Sequence, residues 1–371
     1  MTRWLAACAL VALGGCRQLL GFDSPISAVP DSAALDSSGF DPNDADDRVC
    51  LGAAPYVVCV TRPTAPLELD TSMTIDTNSC AIGAATIVDG DPACVVAGTS
   101  LVVTGNVRAT GAQPLILLAT DSLRLMNGGL DVSSTASQAG AGADPSCAPG
   151  SPPTSGAEGG GGGAGGTFGT GGGNGGAGSS GTAIGGHSPP PAASTFLRGG
   201  CAGQDGAAIG AAVPATGGSG GGVIYLLAGG TLTLDFSTIV NASGAGGAGG
   251  PPVGGGGGGG GSGGLILLWA GGSIASSGTV MANGGGGGGG ANAANTGKPG
   301  QDPSKPEVPA AGGSGGGASN GGPGGDGYAN PFDATSGSGG GLDGGGGGGG
   351  GAGVISVLSG GSLGGMVSPP H

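Results

Sequence analysis

The charged residues in the repeating part of the chain are few, and they bound the chemistry it could do. Asp121, Asp131, Asp235, Arg108 and Arg124 lie in or beside short apolar patches. Carboxylates set close together, or close to a basic residue, would suit the proton transfers of a glycosidase or lyase. Asp131 and Asp235 do not align in the repeat described below. Arg108 and Arg124 each fall in a strand and could share a face. The competing reading makes all five solvated polar residues on outer strand faces. A nucleophilic triad has little support, because His187 sits in the loop "GGHSPPPAAS" and His371 is terminal in this sequence. No catalytic residue is assigned.

Metal and phosphate chemistry fare no better. Glycine-rich phosphate loops match everywhere by composition, and none joins a strand to a helix. "GGPGGDGYA", residues 321–329, fits one copy of a calcium-binding nonapeptide, with Asp326 as ligand and Tyr328 as the large apolar residue. Such sites need tandem copies that share the ion, so the single copy is read as a chance match. No metal and no cofactor is expected. With two Trp, three Tyr and six Phe, and Trp4 in the leader, a stacked-aromatic sugar platform is not expected either. Trp269 falls in a strand run and reads as core or half-buried.

The elements that would position these residues begin after an export signal. "MTRWLAACALVALGG", residues 1–15, has a basic start, a short apolar run and a small-residue end. The apolar run is shorter than the ~20 residues that span a bilayer. "LGGC" at Leu13–Cys16 resembles the lipobox of bacterial lipoproteins, and that resemblance implies acylation of Cys16 as the new N-terminus. Residues 16–49 read as the lipidated cysteine and an acidic, disordered tether, with seven Asp against two Arg over 17–49. In that family Asp directly after the Cys tends to retain the protein at the inner membrane. Arg17 therefore favours the outer membrane, with the periplasmic or extracellular face left open.

Residues 50–371 form the rest. Their 16 acids and 6 bases exclude nucleic-acid binding by charge attraction. Six cysteines fall here, and an even number in an exported chain reads as disulfides. Proximity along the chain suggests Cys50–Cys59, Cys80–Cys94 and Cys147–Cys201. A zinc site is the alternative, but C-x-x-C spacing is absent.

The chain also repeats itself. "CVVAGTSLVVTGNVRATG" (94–111) aligns without a gap with "LLWAGGSIASSGTVMANG" (267–284), sharing seven of 18 positions, among them Ala97/Ala270, Val107/Val280 and Gly111/Gly284. "LILLATDSLRLMNGGLDVSS" (115–134) aligns with 224–243, and a shortened copy starts at 354. Ala97 to Ala119 gives a bare period of 22 residues with two or three short strands. Period-2 patches such as Leu123/Leu125, Leu232/Leu234 and Val280/Ala282 mark strands, each followed by glycine. Glycines and β-branched residues exclude a helical repeat. The prediction is an all-β chain, a right-handed parallel β-helix. It resembles the pectate-lyase-like fold in style, though no motif of that family is present.

Gly and Pro, 99 and 26 of 371 residues, lie mostly between these copies and show no strict triplet period through the chain. They form insertions at about 135–222, 244–264 and 284–353, where a rung should close. On this reading they are outgrowths of turns, flexible by default, with little part in the core. The alternative is a polyglycine II bundle, in which threefold extended limbs hydrogen-bond laterally. Glycine-rich antifreeze proteins and the glycine-rich domain of anaplastic lymphoma kinase pack this way, and "GGGGGAGGTFGTGGGNGGAG" (159–178) is similar in texture.

With the lipobox, "RATG" (108–111), "LRGGC" (197–201) and the glycine-rich insertions, the chain resembles a group of uncharacterised glycine-rich lipoproteins of Gram-negative soil bacteria. The resemblance implies export and lipidation and brings no activity. The expected function is that of a cell-envelope lipoprotein with a structural or adhesive surface role and no catalysis. Its expected partners are the membrane, through its lipid, and cell-surface polysaccharide or other envelope proteins. The alternative is a polysaccharide-active lyase or hydrolase on the same fold.

Overall fold

The computed structural model describes residues 47–371, apart from 89, 149, 192–195 and 318–320. Cys16 and the leader lie outside the described residues. The described chain is all-β, and its one helical element is a 3-10 turn at Ser179–Gly181. It opens with an antiparallel hairpin, β1 (Arg48–Leu51) and β2 (Val58–Thr61), tied by Cys50–Cys59. The first strand thus begins two residues before the expected boundary at 50.

Thereafter the chain visits three sheets in turn. The first holds β3 (Leu67–Leu69), β7 (Leu101–Val103), β10 (Leu123–Leu125), β13 (Thr231–Leu234) and β16 (Ser273–Ser276). The second holds β4 (Met73–Asp76), β8 (Asn106–Thr110), β11 (Gly129–Asp131), β14 (Ile239–Asn241), β17 (Thr279–Met281) and β19 (Met366–Ser368). The third holds β5 (Ala84–Val88), β6 (Asp91–Gly98), β9 (Leu115–Ala119), β12 (Val223–Ala228), β15 (Leu265–Ala270) and β18 (Val354–Val357). Pairing is parallel in all three except between β5 and β6.

Alternation decides which side chains go inward. Leu101, Leu123 and Leu232 share one register column, and Val107, Leu130, Val240 and Val280 another. All seven are buried in a single apolar cluster that the three sheets enclose. The third sheet is apolar on both faces, which is why its strands read "LILLA", "VIYLLA" and "LILLWA" without alternation. Ile224 and Leu226 face the enclosed cluster. Val223, Tyr225 and Leu227 face a second cluster, roofed by Val49, Leu51, Tyr56 and Val58 of the hairpin and by Phe168 and Leu197. Trp269 lies half-buried at its margin.

Each ungapped alignment needs one local correction: in the second, Leu130 pairs with Val240 and not with the aligned Ile239. In the first, Val107 and Val280 do share a column, but Ala97 stands level with Leu118, Leu227 and Trp269, while Ala270 is level with Gly98. Gly98 lies three residues before Leu101, whereas Ala270 lies four before Ile274, the residue level with Leu101, and an ungapped alignment cannot absorb that.

All three long insertions, 132–222, 242–264 and 282–353, join a strand of the second sheet to a strand of the third. Here the structure departs from the expectation of turn outgrowths with little part in the core. The glycine tracts are buried, extended limbs, and their backbones bond to one another in a threefold rhythm. In 254–264, the N–H groups of Gly256, Gly259 and Ser262 donate to Ala207, Gln204 and Cys201. Those of Gly257, Gly260 and Gly263 donate to Gly345, Gly348 and Gly351, and those of Gly258, Gly261 and Gly264 to Ala248, Ala245 and Ala242. Its carbonyls accept in the same rhythm from three further limbs, through Gly163 and Gly166, Gly218 and Gly221, and Gly285 and Gly288.

The physical reason is close approach. A chain with three residues per turn has no internal hydrogen bonds, so each buried N–H must find a neighbouring backbone. Neighbours come near enough only where no side chain intervenes: a Cβ on Gly288 would collide with the Ala248 carbonyl. The lattice is also continuous with the sheets. Leu265 N–H donates to Gly222 O and Val354 N–H to Gly264 O, so the limbs that return to β12, β15 and β18 are already stacked like those strands.

Candidate functional site

The outer face of the second sheet carries the recess nearest the predicted polar residues. Thr74, Arg108, Asp131, Asn241 and Met281 form one outward column, and Asn106, Gly129, Ile239, Thr279 and Met366 the next. Gly129 leaves a notch between Asn106 and Ile239. Two adjoining cavities share Ile239 and Asn241, and the second is walled by residues 303–308 with Lys305 and Glu307 at its rim.

That wall is held by Asn283. Its side-chain N–H groups donate to Lys305 O and Pro306 O, each at 3.1 Å, and its Oδ1 accepts from Ser368 Oγ at 2.6 Å. Its backbone N–H donates to Ser243 Oγ at 3.1 Å. Asn283 is completely buried, and a buried amide left unpaired would be costly. Sequence reasoning missed it. The available signal was that Asn283 is the one polar side chain between Met281 and the seven glycines.

Four of the five candidate charged residues form two closed pairs. Arg108 bonds Asp131 directly across the β8–β11 register and also donates to Ser133 O at 3.0 Å. Arg124 meets Asp235 at 3.3 Å. Arg108 stands on the second sheet and Arg124 on the first, so the expectation that they could share a face is corrected. Asp121 lies in a turn, where its N–H donates to Thr99 O. Asp131 also accepts from Ser133 N–H at 2.9 Å. The Asp131 and Asp235 carboxylates are thus each engaged by an arginine.

The remaining candidates are scaffold. Cys80 is joined to Cys94 and Cys147 to Cys201. The second bond lies beside the limb 254–264, where Ser262 N–H donates to Cys201 O at 3.0 Å. Asp326 accepts from Gly312 N–H at 2.8 Å, and its own N–H donates to Thr335 Oγ1 at 2.7 Å, pinning two limbs. Burial raises the Tyr328 phenol, helped by the nearby Asp333 charge. His187 is exposed in the glycine region, and His371 Nε2 accepts from Leu363 N–H at 3.2 Å. Among the described residues, no three His, Cys, Asp or Glu side chains are grouped to hold a metal ion.

Two further groups have raised pKa values. Burial pushes the Asp144 carboxyl up against the lowering effect of hydrogen bonds from Gly220 and Ser219. Burial also pushes the Tyr225 phenol up, where the hydroxyl is walled in by the hairpin backbone near Gly52 and Ala53. Both belong to packing and lie outside the recess. What the recess offers is a preformed, partly apolar surface with fixed charges at its margin, suited to binding. No protein-family model, curated protein or solved structure matches the chain.

Proposed function

We propose that this chain is a lipid-anchored structural or adhesive component of a bacterial outer envelope, without catalysis. In this reading the three sheets are the sides of a right-handed parallel β-helix, the hand that parallel crossovers take, and the glycine limbs pack as polyglycine II. The observation that carries it is the threefold bonding around 254–264, which continues the sheets outward as a stiff mass almost without side chains. Catalysis needs convergent groups free to change partners, and Asp131 and Asp235 are each occupied by a different arginine. Cell-surface polysaccharide or another envelope protein would meet the outer face of the second sheet.

The anchor is tested first. The mature N-terminus should be an acylated Cys16 by mass spectrometry, and Cys16→Ala should leave the membrane fraction. Unmodified Cys16, with unchanged fractionation of the variant, overturns the envelope reading.

A further inference from the structure

The limbs run out from the sheets and back, so their outer turns meet at one end of the lattice. Among the described residues, those turns include 155–158, 179–183, 208–214, 251–254, 292–296 and 341–343. Their contacts make them one face. Gly254 N–H donates to Asn292 O at 3.1 Å, and Gly160 N–H donates to Gly254 O at 2.9 Å. A Cβ on Gly254 would come within 3.2 Å of Ile209 Cδ1 and would collide with Glu158 O. Ser179 N–H donates to Asp343 O at 3.2 Å.

Turn tips are ordinarily polar, but these carry aliphatics into solvent. Val213 is 77% exposed, Leu342 61% and Val253 60%, and Ile184, one residue beyond the 179–183 turn, is 56% exposed. Val253 is the sharper observation. Its φ is 72°, in the left-handed region that is a genuine outlier for a β-branched residue and is at home with Gly or Asn. A chain with 99 glycines places valine there and exposes it. Backbone strain kept at an exposed position points to use of that position.

We infer that this end face is a self-association surface, joining two copies end to end through the same patch on each. A mainly aliphatic patch with a single exposed charge, Glu158, is compatible with itself, as a twofold contact requires. The net charge of −14 repels a second copy elsewhere. In the six turns the charges are Glu158 and the buried Asp343. The same turns contain no Lys, Arg, Trp or Tyr, the residues that hold a protein surface at a bilayer. The limbs fix the turns before contact, so little ordering is needed on binding.

The test uses the full-length protein in density-matched detergent, by sedimentation equilibrium. Wild type should dimerise, and Val253→Asn with Leu342→Ser should weaken the dimer by about tenfold or more. Val253→Asn relieves the left-handed strain, so the melting temperature should hold or rise, which separates lost association from lost folding. A monomeric wild type at about 100 μM, or unchanged dimerisation of the double variant, overturns the inference. A third arm asks whether Cys16→Ala protein floats with phosphatidylcholine vesicles. Flotation abolished by the double variant would assign the face to a bilayer and overturn the second copy. None of these outcomes depends on whether Cys16 carries a lipid.

Discussion

Val280 and Gly288 belong to one continuous stretch of chain and both are buried, yet they exclude water by different means. Val280 sits in the enclosed apolar cluster beside Val240 and Val107, where removing apolar surface from water supplies the stabilisation. Gly288 has almost no side-chain surface to bury. Its N–H donates to Gly258 O, and its own carbonyl accepts from Gly347 N–H. Each such bond is worth about 1 kcal/mol net, while ordering glycine costs more entropy than ordering any other residue. The comparison teaches that the stack can tolerate a local defect. The lattice holds only if every limb keeps its neighbours, because each lost limb strands donors on several others.

The comparison breaks most easily by deleting residues 285–290. Those six residues take part in twelve bonds between limbs, donating to Gly261, Gln301, Gly325, Gly258, Lys298 and Gly322 and accepting from Gly350, Gly247, Gly313, Gly347, Gly250 and Gly316. At about 1 kcal/mol each, their loss rivals the whole stability of an ordinary domain, 5–15 kcal/mol. The deletion should abolish cooperative melting of the lattice. Val280→Asp, which places an unpaired charge in the apolar cluster, should cost about 3–5 kcal/mol. A deletion variant that melts like wild type while Val280→Asp unfolds would restore the view of the glycine tracts as loose outgrowths.

A smaller pair of substitutions tests close approach alone. Gly288→Ala puts a Cβ into the Ala248 carbonyl, whereas nothing lies within 4 Å of a Cβ on Gly171 at the rim. Gly288→Ala should lower stability by about 1–3 kcal/mol, the usual cost of overpacking. Gly171→Ala should stay within about 0.5 kcal/mol of wild type. Equal effects in denaturant titrations would mean that the limbs are not in register contact.

The stack was legible in the sequence because apolar runs and period-2 patches are local signals. Leu123/Leu125 and Leu232/Leu234 pair in the register the repeat implies. The lattice was harder to read, since its signal is a phase within composition. Limbs at the rim carry side chains every third residue, on the one face that meets solvent: Ala311 and Ser314, or Pro323 and Asp326, all exposed. Limbs surrounded on every side, such as 284–290 and 344–351, are glycine throughout. A triplet search within each tract would have found this, where one through the whole chain did not. The recess gave less warning. Its wall depends on Asn283 meeting residues 305, 306 and 368, and no local pattern encodes such a meeting.

The smallest expected effect concerns Asp144, where the lattice meets a titrating side chain. Its carboxylate accepts from Gly220 N–H at 2.6 Å, and burial raises its pKa above the ordinary 3.8 despite that bond. A carboxyl with a raised folded-state pKa binds its proton more tightly when folded. Its contribution to stability is therefore full below pH 3.8 and is lost as pH rises through the folded value. Asp144→Asn keeps an acceptor for Gly220 and removes the titration. The stability of wild type relative to this variant should fall as pH rises above 3.8, and then stay level once the folded carboxyl has ionised. Melting curves across that range check it. A relative stability that rises with pH would mean that the hydrogen bonds from Gly220 and Ser219 outweigh burial, and that the lattice at this point favours the charged form.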